Sequence, residues 1–143
     1  MVRSNSIRNR RPGVGASAVE FAVVAPVFFM IVLGLIEMGR ACMVLEQLTE
    51  AARRACRVAV VDGTSSATVK QTAVDYLTAV GIQGETAGVS INDAPVDTVE
   101  AMNMPSYTEI TVVITIPVGS CTWLPGGLFL SGTLSGQYTM RRE

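Results

Sequence analysis

"GVGASAVEFAVVAPVFFMIVLGLIEMGRAC", residues 13–42, is a long apolar run that follows a basic leader. No residue between Phe21 and Ile36 is charged, and extending the run to residues 16–38 gives a length sufficient to cross a bilayer. We therefore predict a transmembrane helix over residues 16–38, with Glu20 and Glu37 near its two ends. Arginines before the run indicate a cytoplasmic N-terminus and an extracytoplasmic chain after Glu37.

Composition predicts a membrane-anchored small domain. Of the 143 residues, 49% are apolar and 16% are charged, and the apolar excess is concentrated in the run. The leader, residues 1–15, carries four arginines and no acid, whereas the remainder has more acidic than basic side chains, which argues against a nucleic-acid partner. Histidine is absent from the sequence, so we expect no enzymatic activity, no metal site and no cofactor.

The apolar run admits several interpretations besides a plain signal anchor. A cleavable secretory signal is disfavoured, because Gly39-Arg40-Ala41 is a poor small-x-small cleavage site. A lipoprotein signal ending at Cys42 is rejected, because Arg40 stands where such a signal needs a small or apolar residue.

The segment "GASAVEF" resembles the processing site of type IV prepilins. By that resemblance a membrane peptidase cuts after Gly15, Ala16 becomes the first residue and Glu20 the fifth. The new α-amino group, of this chain or of a neighbour, then pairs with Glu20 and makes a carboxylate at low dielectric tolerable. The alternative is that Glu20 only marks the helix start, where a carboxylate suits the helix dipole.

Helical periodicity continues beyond the run and predicts a stalk helix over residues 39–61, which ends at Asp62-Gly63. Glu37 and Arg40 are three residues apart and can pair on one face of the helix. An apolar seam follows the helical period, and packing against the protein's own domain is favoured over packing against another subunit. The residues of this seam are Leu45, Leu48, Ala52, Ala55 and Ala59.

Residues 62–143 are predicted to form a small extracytoplasmic α+β domain. A helix over residues 68–80 is capped by Thr68 with Gln71 and stops at Gly81. Strands are predicted over residues 89–91, 107–118 and about 130–140, where apolar and polar residues alternate. This alternation is typical of an antiparallel sheet with one buried face, against which the helices pack.

Two further features are candidate sites. Cys56 and Cys121 form the most plausible internal disulfide, which would leave Cys42 free. The loop "SCTWLPGGLFLSG", residues 120–132, concentrates large apolar side chains, which either cap the core or form an exposed docking site. These side chains are Trp123, Leu124, Leu128 and Phe129.

The segments "VVAPVFFMIVLGLIEMGRA" and "LTEAARRACRVAVVDG", with the ending "WLPGGLFLSGTLSGQYTMRRE", resemble the TadE-like family of the Tad (Flp) pilus system. The resemblance implies a minor pseudopilin of the cytoplasmic (inner) membrane that assists assembly of a thin adhesive or secretory pilus. Its implied partners are the lipid bilayer, a prepilin peptidase, other Tad pilus subunits and the inner-membrane assembly platform. The alternative is an unprocessed, single-pass, signal-anchored extracytoplasmic binding module.

Overall fold

The computed structural model describes residues 14–98, 100–121 and 131–142. The chain divides into two units, residues 1–35 and residues 36–143. One helix, α1 (Val14–Ala59), begins in the first unit and ends in the second. α1 ends two residues before the predicted end of the stalk helix at residue 61, and Gly63, with φ of +78°, lies in the turn that follows it.

The described part of the first unit is helical, and its large apolar side chains are exposed. By length and composition, the helix is able to cross a membrane within Ser17–Ala59. Each exposed apolar side chain would cost roughly 1.5–3 kcal/mol in water relative to an apolar medium, so this surface calls for an apolar environment. The exposed apolar residues of this unit include Val19, Phe21, Val23, Val24, Val27, Phe28, Phe29, Met30, Ile31, Leu33 and Leu35.

In the second unit α1 buries the predicted apolar seam, because small side chains allow the helix to approach the core closely. Leu48 is fully buried, whereas Leu45, at the start of the seam, is only half-buried. The same core includes sheet residues of this chain, so the prediction that the seam packs on the protein's own domain is confirmed. The fully buried alanines of the helix are Ala51, Ala52, Ala55 and Ala59.

The second helix, α2 (Ser66–Ala79), begins two residues earlier than predicted. Ser65 is its N-cap, and the Ser65 Oγ accepts the backbone N–H of Thr68 at 3.3 Å. The predicted cap of Thr68 with Gln71 is therefore wrong, because Thr68 already lies inside the first turn. The predicted stop at Gly81 is confirmed by its φ of +79°, which a residue without Cβ adopts without strain.

The strands are β1 (Gly88–Ile91), β2 (Ala94–Pro95), β3 (Glu109–Pro117) and β4 (Thr133–Arg141). They form one antiparallel sheet in the order β2-β1-β3-β4, which with the two helices confirms the predicted α+β class. Asn92 and Asp93 connect β1 to β2, both with positive φ, as a two-residue hairpin turn requires. Single helical turns occur at Gly84–Thr86, Ala101–Asn103 and Val118–Ser120.

The core lies between the helices and one face of the sheet. Alternate residues of β3 point into it, as the period of two predicts, and all four in the strand are fully buried: Ile110, Val112, Ile114 and Ile116. α2 contributes to the core Val69, Ala73 and Leu77, which recur every four residues on one face of the helix. The sheet and both helices therefore share one hydrophobic core.

Candidate functional site

The residues predicted to carry processing and assembly lie at the start of α1. Gly15 is exposed, and a Cβ added to it would meet no neighbouring atom within 4 Å. Glu20 is also exposed and follows Ala16 by four residues, so the two positions share one side of the helix. Because helical side chains tilt towards the N-terminus, a carboxylate at position 20 projects towards an amine at position 16. Processing and pairing at these positions stay predictions.

Glu37, which lies near one end of the predicted transmembrane helix, is buried in the structure. Its side chain is 6% exposed, and neither carboxylate oxygen has a hydrogen-bond partner in the described chain. It lies on the face of α1 that carries Val44 and Leu48 into the core. The pairing with Arg40 that the spacing allows is not formed as a hydrogen bond, because both Glu37 oxygens lack a partner among the described residues. The Arg40 Nε donates instead to the backbone carbonyl of Cys121. A buried carboxylate with no hydrogen-bond partner among the described residues is destabilising, which makes Glu37 a candidate functional residue.

Two of the three free cysteines lie at opposite ends of the helix–sheet contact. The Cys56 Sγ donates to the carbonyl of Ile110 at the start of β3, at 3.3 Å. Cys121 lies beyond the end of β3, where Arg40 contacts its carbonyl. The helix between Arg40 and Cys56 spans about 24 Å, several times the Cα separation that a disulfide permits. The predicted bridge between Cys56 and Cys121 is therefore absent from the structure.

Both buried thiols are held in the neutral form. Burial raises the pKa of the Cys56 thiol, and backbone hydrogen bonds at Met140 and Val112 lower it in part. Burial also raises the pKa of the Cys121 thiol, while the positive charge of Arg40 acts in the opposite direction. Because the thiolate is the nucleophile, neither thiol is suited to covalent chemistry near neutral pH.

Arg142 holds the end of the chain to two other segments, a role that the sequence pattern did not indicate. It is 4% exposed, and its Nη1 donates to the carbonyls of Ala101 and Met104, both at 2.8 Å. Its Nη2 and Nε donate to the carboxylate of Asp62, just after α1. A buried guanidinium is tolerable when several acceptors surround it, as they do here. The only signal in the sequence was a second arginine, beyond the last strand residue.

β4 lies close against α1 at Gly136. A Cβ built on Gly136 would lie 2.5 Å from the backbone C of Leu48 and from the backbone N of Thr49. Together with the contacts of Cys56 and Cys121, this places α1 antiparallel to β3 and parallel to β4. Gly136 is thus required by the spacing between helix and sheet.

The outer face of α1 is charged and partly ordered by aromatic rings. The Arg54 guanidinium lies 4.3 Å from the ring centre of Tyr76 and 3.1 Å from the Glu50 carboxylate. The Arg53 guanidinium lies 5.6 Å from the ring centre of Tyr138 in β4. These contacts hold both arginines on the exposed face of α1, where Glu46 and Glu50 also lie.

Most of the candidate docking loop, residues 120–132, lies outside the described residues. Trp123, Leu124, Leu128 and Phe129 lie outside the described residues. Within residues 14–98, 100–121 and 131–142, no cluster of three or more Cys, Asp or Glu side chains is placed to hold a metal ion.

A helix that is apolar enough to span a membrane and that ends in a small α+β domain defines a class of membrane-anchored proteins. Residues 15–57 match the family model of the TadE-like proteins. The resemblance found in the sequence is thereby confirmed over this segment. Comparison with curated proteins and with solved structures gives no match.

Proposed function

We propose that the chain is a non-catalytic, minor pilin-like assembly protein of a Tad pilus. In this role residues 16–38 anchor it in the cytoplasmic membrane, with the leader inside and the α+β domain outside. A prepilin peptidase removes the leader after Gly15. The observation that carries the proposal is the TadE-like match, which begins at Gly15 and covers the apolar helix.

Two physical features support the proposal. The arginine leader favours a cytoplasmic N-terminus, which is the side on which a prepilin peptidase acts. Glu20 is an acid on an apolar helix, and a carboxylate in that setting is stable only with a cationic partner. Cleavage after Gly15 would create such a cation one helical turn away, at Ala16.

The mature N-terminus tests the processing step. Protein purified from membranes of the native cell is expected to begin at Ala16 when its intact mass is measured. A chain that begins at Met1 or Val2 would contradict processing and favour the unprocessed signal-anchored binding module. A chain that begins near Cys42 would contradict both, because it would identify the apolar run as a removed secretory signal.

Substitution of Glu20 tests the assembly role. Glu20→Gln is expected to abolish piliation while the protein remains in the membrane, because the amide cannot form an ion pair. Glu20→Asp is expected to retain part of the activity. The control is Glu109→Gln, which neutralises an exposed acid at the start of β3. Normal piliation in Glu20→Gln would refute the role assigned to this carboxylate.

A further inference from the structure

In the part of the chain that the structure describes, the outer edge of β4 has no partner strand. Among the described residues β4 (Thr133–Arg141) pairs only with β3. The N–H of Arg142 donates to the Thr108 carbonyl at 3.0 Å, and the N–H of Val118 donates to the Gly132 carbonyl at 2.9 Å. Because bonded pairs recur at every second residue of an antiparallel ladder, the even-numbered residues of β4 bond to β3.

The odd-numbered residues therefore present their backbone N–H and C=O groups to the open edge. All five have exposed side chains as well: Thr133, Ser135, Gln137, Thr139 and Arg141. A strand that lies beside this edge finds a row of donors and acceptors at the spacing that it needs.

The edge lacks the features that usually protect an edge strand. Such strands are typically short, or carry proline, lysine or an inward-pointing charge. β4 is nine residues long, and its one charged residue, Arg141, is the last. The opposite edge is protected, because β2 has two residues and the second is Pro95. The contrast between the two edges indicates that β4 is left open for a partner.

A groove lies beside β4, on the side of the sheet that faces α1. Its volume is about 380 Å³, and it is lined by Leu45, Glu46, Thr49, Glu50, Arg53 and Tyr138. Leu45 and Tyr138 are half-buried and provide apolar surface. Glu46 is exposed and has no ion pair within the described chain. Since every second side chain of an added strand points to one face, such a strand would place alternate residues over this groove.

We propose that the open edge of β4 binds an extended segment of another Tad pilus component, which adds one strand to the sheet. The segment alternates polar and apolar residues, and a basic residue on its groove side meets Glu46. The identity of the partner rests on the proposed function, whereas the edge and the groove do not.

A second copy of this chain fits the groove less well. If its own β4 lay against the edge, the residues over the groove would be Leu134, Gly136, Tyr138 and Met140. None of these carries a charge to meet Glu46. A copy would therefore satisfy the backbone groups but would leave Glu46 without a cationic partner.

Amide hydrogen exchange at single-residue resolution tests the edge directly. Full-length protein is compared in membranes that contain the complete Tad system and in membranes that lack the other Tad components. The even-numbered amides of β4 are expected to be protected in both. The odd-numbered amides are expected to exchange about tenfold or more slowly when the system is complete, because each gains a hydrogen bond. Equal exchange of the odd-numbered amides in both membranes would overturn the proposal.

A pair of variants at one residue tests the mode of binding. Gln137→Pro removes an edge-facing N–H without breaking the ladder to β3, and the preceding Gly136 has no Cβ to clash with the proline ring. Gln137→Ala, the matched control, changes the same side chain but keeps the N–H. Both carry a photoreactive residue at Ser135, and mass spectrometry identifies the cross-linked peptide.

The expected result is an adduct with a segment of another Tad component that persists in Gln137→Ala and is lost in Gln137→Pro. Protected even-numbered amides in Gln137→Pro establish that its sheet is intact. An adduct that survives in Gln137→Pro, an adduct only with a second copy, or the absence of any adduct in the Gln137→Ala protein would each refute the proposal. A processed, pilus-forming protein without edge protection would refute the edge proposal alone, whereas an unprocessed chain would refute the proposed function.

Discussion

Gly136→Ala is the substitution for which the structure makes the sharpest prediction. The added Cβ would lie 2.5 Å from the Leu48 C and the Thr49 N, about 1 Å closer than ordinary contact. Because both atoms belong to the helix backbone, relief requires α1 and β4 to move apart. Overpacking of this kind costs about 3 kcal/mol, whereas restricting the unfolded chain returns less than about 1 kcal/mol. The net loss is therefore about 2 kcal/mol or more.

The loss is measured as a shift in Tm of the full-length protein in detergent micelles, followed by near-ultraviolet circular dichroism. This signal reports the domain, because every tyrosine and the tryptophan lie after residue 36. Gly136→Ala is expected to lower Tm by about 10 °C, given an unfolding entropy of about 0.2 kcal/mol/K for a domain of this size. The control Gly119→Ala adds a Cβ with no atom within 4 Å and is expected to shift Tm by less than about 2 °C. Equal Tm values for the two variants would refute the close approach of β4 to α1.

Three further predictions follow from the buried groups. Arg142→Ala is expected to lower the free energy of unfolding in urea by about 3 kcal/mol, because it leaves two carbonyls without donors. The control Arg141→Ala, at an exposed position, is expected to change it by less than about 0.5 kcal/mol. Similar losses in the two variants would contradict the stabilising role of the Arg142 hydrogen bonds. A maleimide reagent is expected to label only Cys42 in the native protein, because Cys56 and Cys121 are buried. After unfolding without reductant, all three cysteines are expected to react. If Cys56 and Cys121 stayed unlabelled in the unfolded protein, a disulfide between them would be indicated. Burial raises the pKa of the Cys56 thiol, so this thiol ionises in the unfolded chain before it does in the folded protein as pH rises above about 9. Urea titrations are therefore expected to show that wild type loses stability above this pH more steeply than Cys56→Ala. The same pH dependence of the unfolding free energy in both proteins would refute this.

Glu37 occupies a buried position of α1 at which an apolar side chain would be expected to stabilise the fold. A buried carboxylate with no hydrogen-bond partner among the described residues costs stability, whereas Val44 and Leu48 on the same face of α1 contribute to it. An apolar residue at position 37 would extend this buried face by about two helical turns. Packing alone therefore does not explain why position 37 is an acid.

Local patterns were enough to predict much of this protein. The apolar run, the helical seam that includes Ala52 and Ala55, and the alternation along β3 each specify an element through near neighbours in the chain. The same holds for the turns at Gly63 and Gly81, where a positive φ favours glycine. The processing site proposed at Gly15 stays a prediction, which rests on the spacing of Gly15 and Glu20 together with the arginine leader before them and the apolar run after them.

Tertiary structure decided what depends on contacts between distant residues. Sequence pattern did not reveal that Arg142 binds Asp62, that Gly136 lies against Leu48, or that Arg40 contacts Cys121 rather than Glu37. The physical reason is that these contacts depend on strand order and on the direction of α1 across the sheet. Both are set by packing of the whole core, and short-range periodicity carries no record of either.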